Sequence, residues 1–296
     1  DKVARQKARG KLTARERLGG VLDEGSFREI GKIAGRGVYD ENGDLTDAHA
    51  SNFIFGRGRV GGRPVVATAD DFTVRGGAAD ASIHRKFIMA EQMGHELGLP
   101  VLRMIDGTGG GGSVKMLEDM GFTYVPFVPG WEHVVKNLDT VPVVALALGP
   151  TAGLGAARVV ASHYSVMVKG LSQLFTAGPH VVAATGEMHD KEALGASGIH
   201  TRNGVVDDEV ASEAEAFARA RAFLSYLPSR AGGAHERVDI GDPCERKDES
   251  LLSIVPRDKQ KSYNMRRVME KVADKGSVFE MGQRWGRGVI TAFARF

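Results

Sequence analysis

Two turns built almost wholly from small residues carry the clearest chemical signal in the chain. Asp106 to Ser113 reads DGTGGGGS and Gly149 to Ala156 reads GPTAGLGA, and each follows a short apolar run and leads into a helical pattern. Glycine lets a ligand approach the backbone, and the N–H groups of a helix's first turn have no helical partner, so they point outward with the positive end of the macrodipole. Such a turn stabilises negative charge. If the charge is an enolate formed from a thioester, two N–H groups aimed at one oxygen make an oxyanion hole, worth about 3 to 4 kcal/mol per donor. In GPTAGLGA the candidate donors are Gly153 and Leu154. Small residues would also let this helix pack closely against its strand, and spacing alone leaves both readings open.

Gly107 to Gly112 also fits GxGxxG, which as a dinucleotide fingerprint would place pyrophosphate on the next helix. A nearly pure glycine run satisfies many patterns, and no clear acidic strand end follows about 20 residues later. There is no GxxxxGK[ST], no GxSxG elbow and no HExxH, since His95-Glu96 is followed by Leu97-Gly98-Leu99. The histidines are dispersed, and Asp70 and Asp71 read as a strand end rather than a catalytic carboxylate pair. The inventory is anion-stabilising backbone without a general base, which suits a reaction whose base comes with the substrate or cofactor.

The elements that would position these turns follow from periodicity. LPVLRMI and VPVVALAL read as buried strands running into the two turns, and YSVMVKG as a third. Unalternated β-branched runs separated by helices predict strands covered on both faces, hence an α/β layered fold. Upstream, NFIFGRGRV and RPVVATADDF flank Gly61-Gly62, the signature of a two-residue hairpin turn. Gly76 and Gly77 lead into a helix over ADASIHRKFIMAEQMGHELG, with Ile83, Phe87, Ala90 and His95 near one face. A further amphipathic helix is expected over 207–227, its first turn acidic at Asp207, Asp208 and Glu209 and its end at Pro228. Residues 1 to about 30 read as a charged, peripheral helical arm, and Ser229 to Pro256 as a linker. The last part holds a helix over MRRVMEKVAD and then strand-like VITAFARF, an unpaired strand at the chain's end that suggests continuation.

Composition sets outer bounds. The 296 residues are 42% hydrophobic and 26% charged, ordinary for a globular protein, whereas 39 glycines are about twice the usual share. Net charge is +2 without an aromatic-interleaved basic stripe, so nucleic acid is not an expected partner. The longest apolar run, Val141 to Leu148, is too short for a bilayer, and no membrane association is expected. The single cysteine, Cys244, excludes an internal disulfide and any multi-thiolate zinc site, and is compatible with a reducing compartment.

With these residues in view, the chain resembles the carboxyltransferase β subunits of biotin-dependent acyl-CoA carboxylases of the propionyl-CoA and methylcrotonyl-CoA carboxylase type. The likeness runs nearly end to end, through KARGKLTARERL, DFTVRGGAADASIHRK, DGTGGGGS, GPTAGLGAARVVASHYSVMV, LFTAGPHVVAATGEMHDKEALGASGIH and SIVPRDKQKSYNMRRVMEKVADKGSVFE. It implies the layered α/β fold of the ClpP/crotonase superfamily, two such domains per subunit, and transfer of a carboxyl group from carboxybiotin to an acyl-CoA. On that basis residues 1–232 form the acyl-CoA side, 233–260 a linker, and 261–296 the opening elements of a second domain.

The resemblance also supplies the missing base, because biotin's ureido nitrogen takes the acyl α-proton once CO2 is released. It places the thioester hole on Gly153 and Leu154, and the hole for biotin's ureido oxygen beyond Phe296. Gly76, Gly77 and Ala78 would line the path of the CoA adenine and pantetheine; Phe175, Gly178 and Pro179 would line the biotin and acyl canyon. Gly109 and Gly110 are carried over as substrate-binding from the family's DSGGA-like turn, which is more glycine-rich here. A second departure is Leu154, where the family usually has glycine, although any residue but proline keeps the N–H. The implied cofactor is biotin carried by a partner, with a coenzyme A thioester as substrate. The implied partners are a biotin carboxylase and a biotin carboxyl carrier subunit, with further copies of the chain in an oligomer. A decarboxylase running the transfer backwards and a non-catalytic CoA-binding paralogue are the alternatives; a hydratase or isomerase would need side-chain acids and bases. The absent four-cysteine zinc ribbon separates the chain from bacterial acetyl-CoA carboxylase β subunits. The bacterial cytoplasm is the expected compartment, with the mitochondrial matrix as its alternative.

Overall fold

The computed structural model describes residues 2–78, 83–109, 118, 121, 130–235 and 237–296. Two helices, α1 (Lys2–Ala8) and α2 (Ala14–Val21), open the chain, followed by β1 (Arg28–Ile30), an exposed hairpin of β2 (Gly35–Tyr39) and β3 (Leu45–Ala50), and a second hairpin of β4 (Phe53–Val60) and β5 (Arg63–Asp70). Gly61 and Gly62 both take positive φ, 57° and 78°, as the two-residue turn requires, and both N–H groups donate to the Asp23 carboxylate. Then come α3 (His84–Leu97), β6 (Val101–Gly109), α4 (Trp131–Thr140), β7 (Val143–Gly153), α5 (Leu154–Val160), β8 (Tyr164–Val168) and β9 (Gln173–Phe175). Three short helices, α6 (Pro179–Ala183), α7 (Lys191–Gly195) and α8 (Ser197–His200), precede β10 (Asp208–Val210) and α9 (Glu213–Ser225). The remainder holds α10 (Leu251–Ile254), α11 (Met265–Val272), β11 (Phe279–Met281) and β12 (Thr291–Phe293).

Among the described residues, eight strands form one sheet in the order β1-β4-β5-β6-β7-β8-β10, with β9 extending β7 beyond β8. Pairings among β1, β4 and β5 are antiparallel; from β5 to β10 they are parallel. Helices cover both faces. On one, α2 and α9 bury Leu18, Val21, Phe217 and Phe223 against Val65, Leu102 and Leu146; on the other, α3 packs Ala90 onto Phe53, Phe55 and Val66. This is the layered α/β arrangement read from the uninterrupted strands, and β6, β7 and β8 fall on the three runs that predicted them.

Four local expectations change. The opening arm is not peripheral, because α2 buries Ala14, Arg17, Leu18 and Val21 at helical spacing. The helix expected over 207–227 starts later: Asp208–Val210 pairs with β8, Asp207 accepts from the Ser165 N–H, and Ser212 caps a first turn whose acids are Glu213 and Glu215. The helix after Gly77 begins at His84, with 79–82 outside the described residues. The final strand is paired, Phe279 lying opposite Phe293. Phe279 also joins the core of α9, stacking edge-on to Tyr164.

The start of α2 carries a capping box. The Thr13 hydroxyl accepts from the Glu16 N–H while Glu16 Oε2 accepts from the Thr13 N–H. Hydrogen bonds from Lys7 and Thr13 hold the Glu16 carboxyl at about 2, against 4.5 when free. Ionised Glu16 therefore favours folding above pH 4.5, and that contribution is lost as the pH falls toward 2. Glu16→Gln will flatten this part of the acid limb of the stability curve, read by urea unfolding between about pH 5 and about pH 2.

Candidate functional site

The segments read as glycine-rich turns begin as strand: 106–109 completes β6 and 149–153 completes β7, side by side at the carboxyl ends where open parallel sheets bind ligands, while 110–113 lies outside the described residues. Gly107, Thr108 and Gly109 pair with Thr151, Ala152 and Gly153, after a shift of register between Ile105 and Gly107. β9 lies along the other side of β7 and sets Phe175 opposite Ala152. Gly153 converts strand directly into helix at φ 59° and ψ −124°, a conformation that L side chains rarely adopt. Leu154 follows as the first residue of α5, and no side chain among the described residues caps this helix. Its first-turn amide is among those that a helix leaves without an internal acceptor.

A third turn closes on the first of these segments, at Asp106 and Gly107. Arg75–Gly77 forms one 3-10 turn with Gly76 and Gly77 at φ 62° and 71°, and Asn52 Nδ2 holds the Ala78 carbonyl at 2.7 Å. Gly77 and Gly107 meet backbone to backbone. A Cβ on Gly77 would stand 2.6 Å from the Asp106 carbonyl oxygen and 2.8 Å from the Gly107 Cα, atoms that cannot swing aside. Gly77→Ala, which adds strain at positive φ to this clash, will destabilise the protein by roughly 1–3 kcal/mol in denaturant unfolding.

Beneath the turns lies a buried charge cluster. Asp106 accepts from Lys11 Nζ and Arg17 Nη1, each at 2.7 Å, and Arg17 makes a two-pronged pair with Glu213 while Nη2 also donates to the Leu148 carbonyl. Burial lowers the pKa of Lys11, with Asp106 opposing it. Gly149 is required here: a Cβ would collide with Asp106 Oδ1 and Lys11 Nζ. Thus Asp106 is held directly by Lys11 and Arg17 of the opening arm, Glu213 of α9 holds Arg17 in turn, and Gly149 leaves the room that this cluster occupies.

A second buried set holds α5. Arg103 pairs with both Glu91 oxygens at 2.8 Å and donates Nη1 to the carbonyls of Arg158 and Ala161, supplying positive charge at the helix's negative end. Burial alone would raise the Glu91 carboxyl, but Arg103 holds it below its usual range. Asp70, the last residue of β5, accepts from Arg158 Nη1, and its burial pushes its carboxyl upward.

The fold therefore brings Gly77, Gly107, Gly109, Gly153, Leu154 and Phe175 to one edge, with Gly76 and Ala78 in the adjoining turn. Gly110 lies outside the described residues. Gly178 and Pro179 stand at the start of α6, where proline takes the position that needs no N–H donor, and the Gly178 carbonyl accepts from Val181 and Val182. The residues missed in the sequence are the charged ones below the turns. Arg17 had a signal, since it occupies a position in the apolar stripe Ala14, Leu18, Val21; Lys11, Asp70 and Arg158 had none.

Comparison with known proteins gives a consistent picture. Residues 5–296 match the family described as "Carboxyl transferase domain". The chain is 30% identical over 299 residues to the methylmalonyl-CoA decarboxylase subunit alpha of Veillonella parvula, covering 100% of this chain and 57% of that one. It is 30% identical over 302 residues to the mitochondrial propionyl-CoA carboxylase beta chain of Homo sapiens, covering 99% and 54%. A solved structure of the transcarboxylase 12S hexamer, with methylmalonyl-coenzyme A and methylmalonic acid bound, superposes with a TM-score of 0.84 at 29% identity, covering 99% of this chain and 56% of that one. The chain spans about half the length of the curated relatives it matches. No helix among the described residues is long and apolar enough to cross a membrane.

Proposed function

The chain belongs to the carboxyl transferase domain family, and from that premise we propose that it is the acyl-CoA half of a carboxyltransferase subunit of a biotin-dependent acyl-CoA carboxylase. The observation that carries this reading is the passage from β7 to α5: a glycine in a conformation foreign to other residues, then a helix start that no described side chain caps, at the carboxyl edge of a parallel sheet. In this reading the N–H groups of Gly153 and Leu154 donate to the thioester oxygen as it becomes an enolate oxygen. Their backbone donors are already oriented before substrate arrives, so little reorganisation accompanies the reaction.

Gly76, Gly77 and Ala78 guide the CoA portion, and Gly109 and Gly110 belong to the same substrate-binding set. Phe175, with Gly178 and Pro179, walls the acyl and biotin side. The residues fit a thioester, because glycine-lined backbone and a helix start without a described side-chain cap face one edge. Biotin on its carrier supplies the carboxyl group and the base that removes the α-proton. The chain's own contribution is to hold the oxyanion and to shut water out between the turns.

The domain division at 1–232, 233–260 and 261–296, a homo-oligomer, a biotin carboxylase and a biotin carrier as partners, and action in the cytoplasm belong to the same proposal. A decarboxylase is the second reading, favoured by the likeness to the Veillonella parvula subunit. The full-length protein, supplied with carboxylated biotin carrier and a panel of acyl-CoAs, tests the proposal. Carboxyl transfer to at least one thioester is expected; transfer to none overturns it, and thioester binding without turnover favours the non-catalytic paralogue.

A further inference from the structure

We propose that the buried Arg158–Asp70 pair is a positioning device for the thioester hole, tying the helix that carries Leu154 to the head of the opposing glycine turn. This rests on the assignment of Gly153 and Leu154 as that hole.

The pair spans the two halves of the site. Arg158 lies one turn beyond Leu154 on α5, and its Nη1 reaches the Asp70 carboxylate at 3.2 Å from Oδ1 and 3.3 Å from Oδ2. Asp70 Oδ2 also accepts from the Asp106 N–H at 3.3 Å. The described ladder between β5 and β6 ends at Ala69 opposite Met104, and the register of β6 against β7 shifts at Asp106. Asp70 thus supplies an acceptor to the amide at that irregularity, immediately before Gly107. One carboxylate touches both the β6 turn and the α5 helix.

The chemistry of Arg158 argues against a role in cohesion alone. Its side chain is 9% exposed, yet Nε and Nη2 have no hydrogen-bond partner among the described residues. Groups in the interior kept only for stability are normally satisfied, and an unpaired buried donor is unfavourable. The rings of Phe53 and Phe87, 5.3 and 5.2 Å from the guanidinium carbon, offset part of that penalty and fix the guanidinium's place. Arg103 meanwhile clamps the far end of α5 through the Arg158 and Ala161 carbonyls. Held at its end by Arg103 and at its middle by Arg158, the helix keeps a fixed aim at its first residue. Small errors of aim matter, because a displacement of about 1 Å at a reacting centre lowers rates by about 10²-fold.

The test uses the full-length protein with its carboxylated biotin carrier, and four variants: Arg158→Met, Arg158→Lys, Asp70→Asn, and the double variant Asp70→Asn with Arg158→Met. We expect Arg158→Met to lower kcat at least about 10-fold while the KM for acyl-CoA stays within about 3-fold. Arg158→Lys will recover most of that loss, and the double variant will be no worse than Arg158→Met, as for two residues acting as one unit. Amide exchange, followed by mass spectrometry, will accelerate over 150–157 and 105–109 in Arg158→Met but not over α9. Lower thermal stability with kcat and local exchange unchanged overturns the inference. If Arg158→Met does not fold, Arg158→Lys and Asp70→Asn decide it: exchange and kcat both matching the parent protein overturn it. If the parent protein transfers no carboxyl group, the functional reading fails separately. Exchange over the two turns then still decides whether the pair positions them.

Discussion

Leu154→Pro is expected to slow carboxyl transfer by the full-length protein about 10²–10³-fold, the usual effect of deleting one oxyanion donor. The substitution suits the question because Leu154 is the first residue of α5, the helical position that tolerates proline best. Gly153, at ψ −124°, is also outside the α region that proline forbids to the residue before it. The change therefore removes an N–H with little disturbance of the helix. Leu154→Gly keeps the donor and should keep the rate, which separates loss of the amide from loss of the side chain. Steady-state kcat and KM for the acyl-CoA, measured on all three proteins, check the result. An undiminished kcat in Leu154→Pro would remove this amide from the reaction.

Asp106→Ala is expected to destabilise the protein by about 3–5 kcal/mol in equilibrium denaturation, the range for breaking a buried ion pair by removing one partner. Lys11, Arg17 and Asp106 are each less than 5% exposed, so their charges have no water to fall back on. Glu213 still answers Arg17, but Lys11 is left with no carboxylate at hydrogen-bond distance among the described residues. The exposed pair Arg15–Glu29 is the control: Arg15 is 60% exposed, and Arg15→Ala should alter stability by no more than about 1 kcal/mol. Equal effects from the two variants would show that the buried cluster contributes nothing beyond an ordinary surface pair.

The parts of this structure that were legible in the sequence are those governed by local rules. Gly61-Gly62 announced a hairpin because positive φ at two consecutive positions is what the turn needs, and β6, β7 and β8 announced themselves because interior parallel strands have no polar face to alternate. The two turns were legible as chemistry because glycine after a strand is a backbone signal. The charged residues under them were not. Lys11 and Arg17 look like surface residues until Asp106 and Glu213 arrive from far along the chain, and nothing local marks Arg158 as the partner of Asp70. The acidic run at Asp207 misled in the same way. Its residues serve Ser165, Tyr164 and strand pairing with β8, so a helix start that looked local was overruled by tertiary partners.

The pairing of Arg17 with Glu213 bridges 196 residues, and it has a temporal side. A ribosome adding about 5–20 residues per second needs roughly 10–40 s to travel from the first partner to the second. Asp106 and the Leu148 carbonyl are made part-way through that interval, but until its end the nascent arm carries an arginine that lacks its two-pronged partner. The arm should therefore stay accessible to proteases and chaperones until α9 emerges, and completion of the sheet's carboxyl edge should be among the last events of the protein's birth.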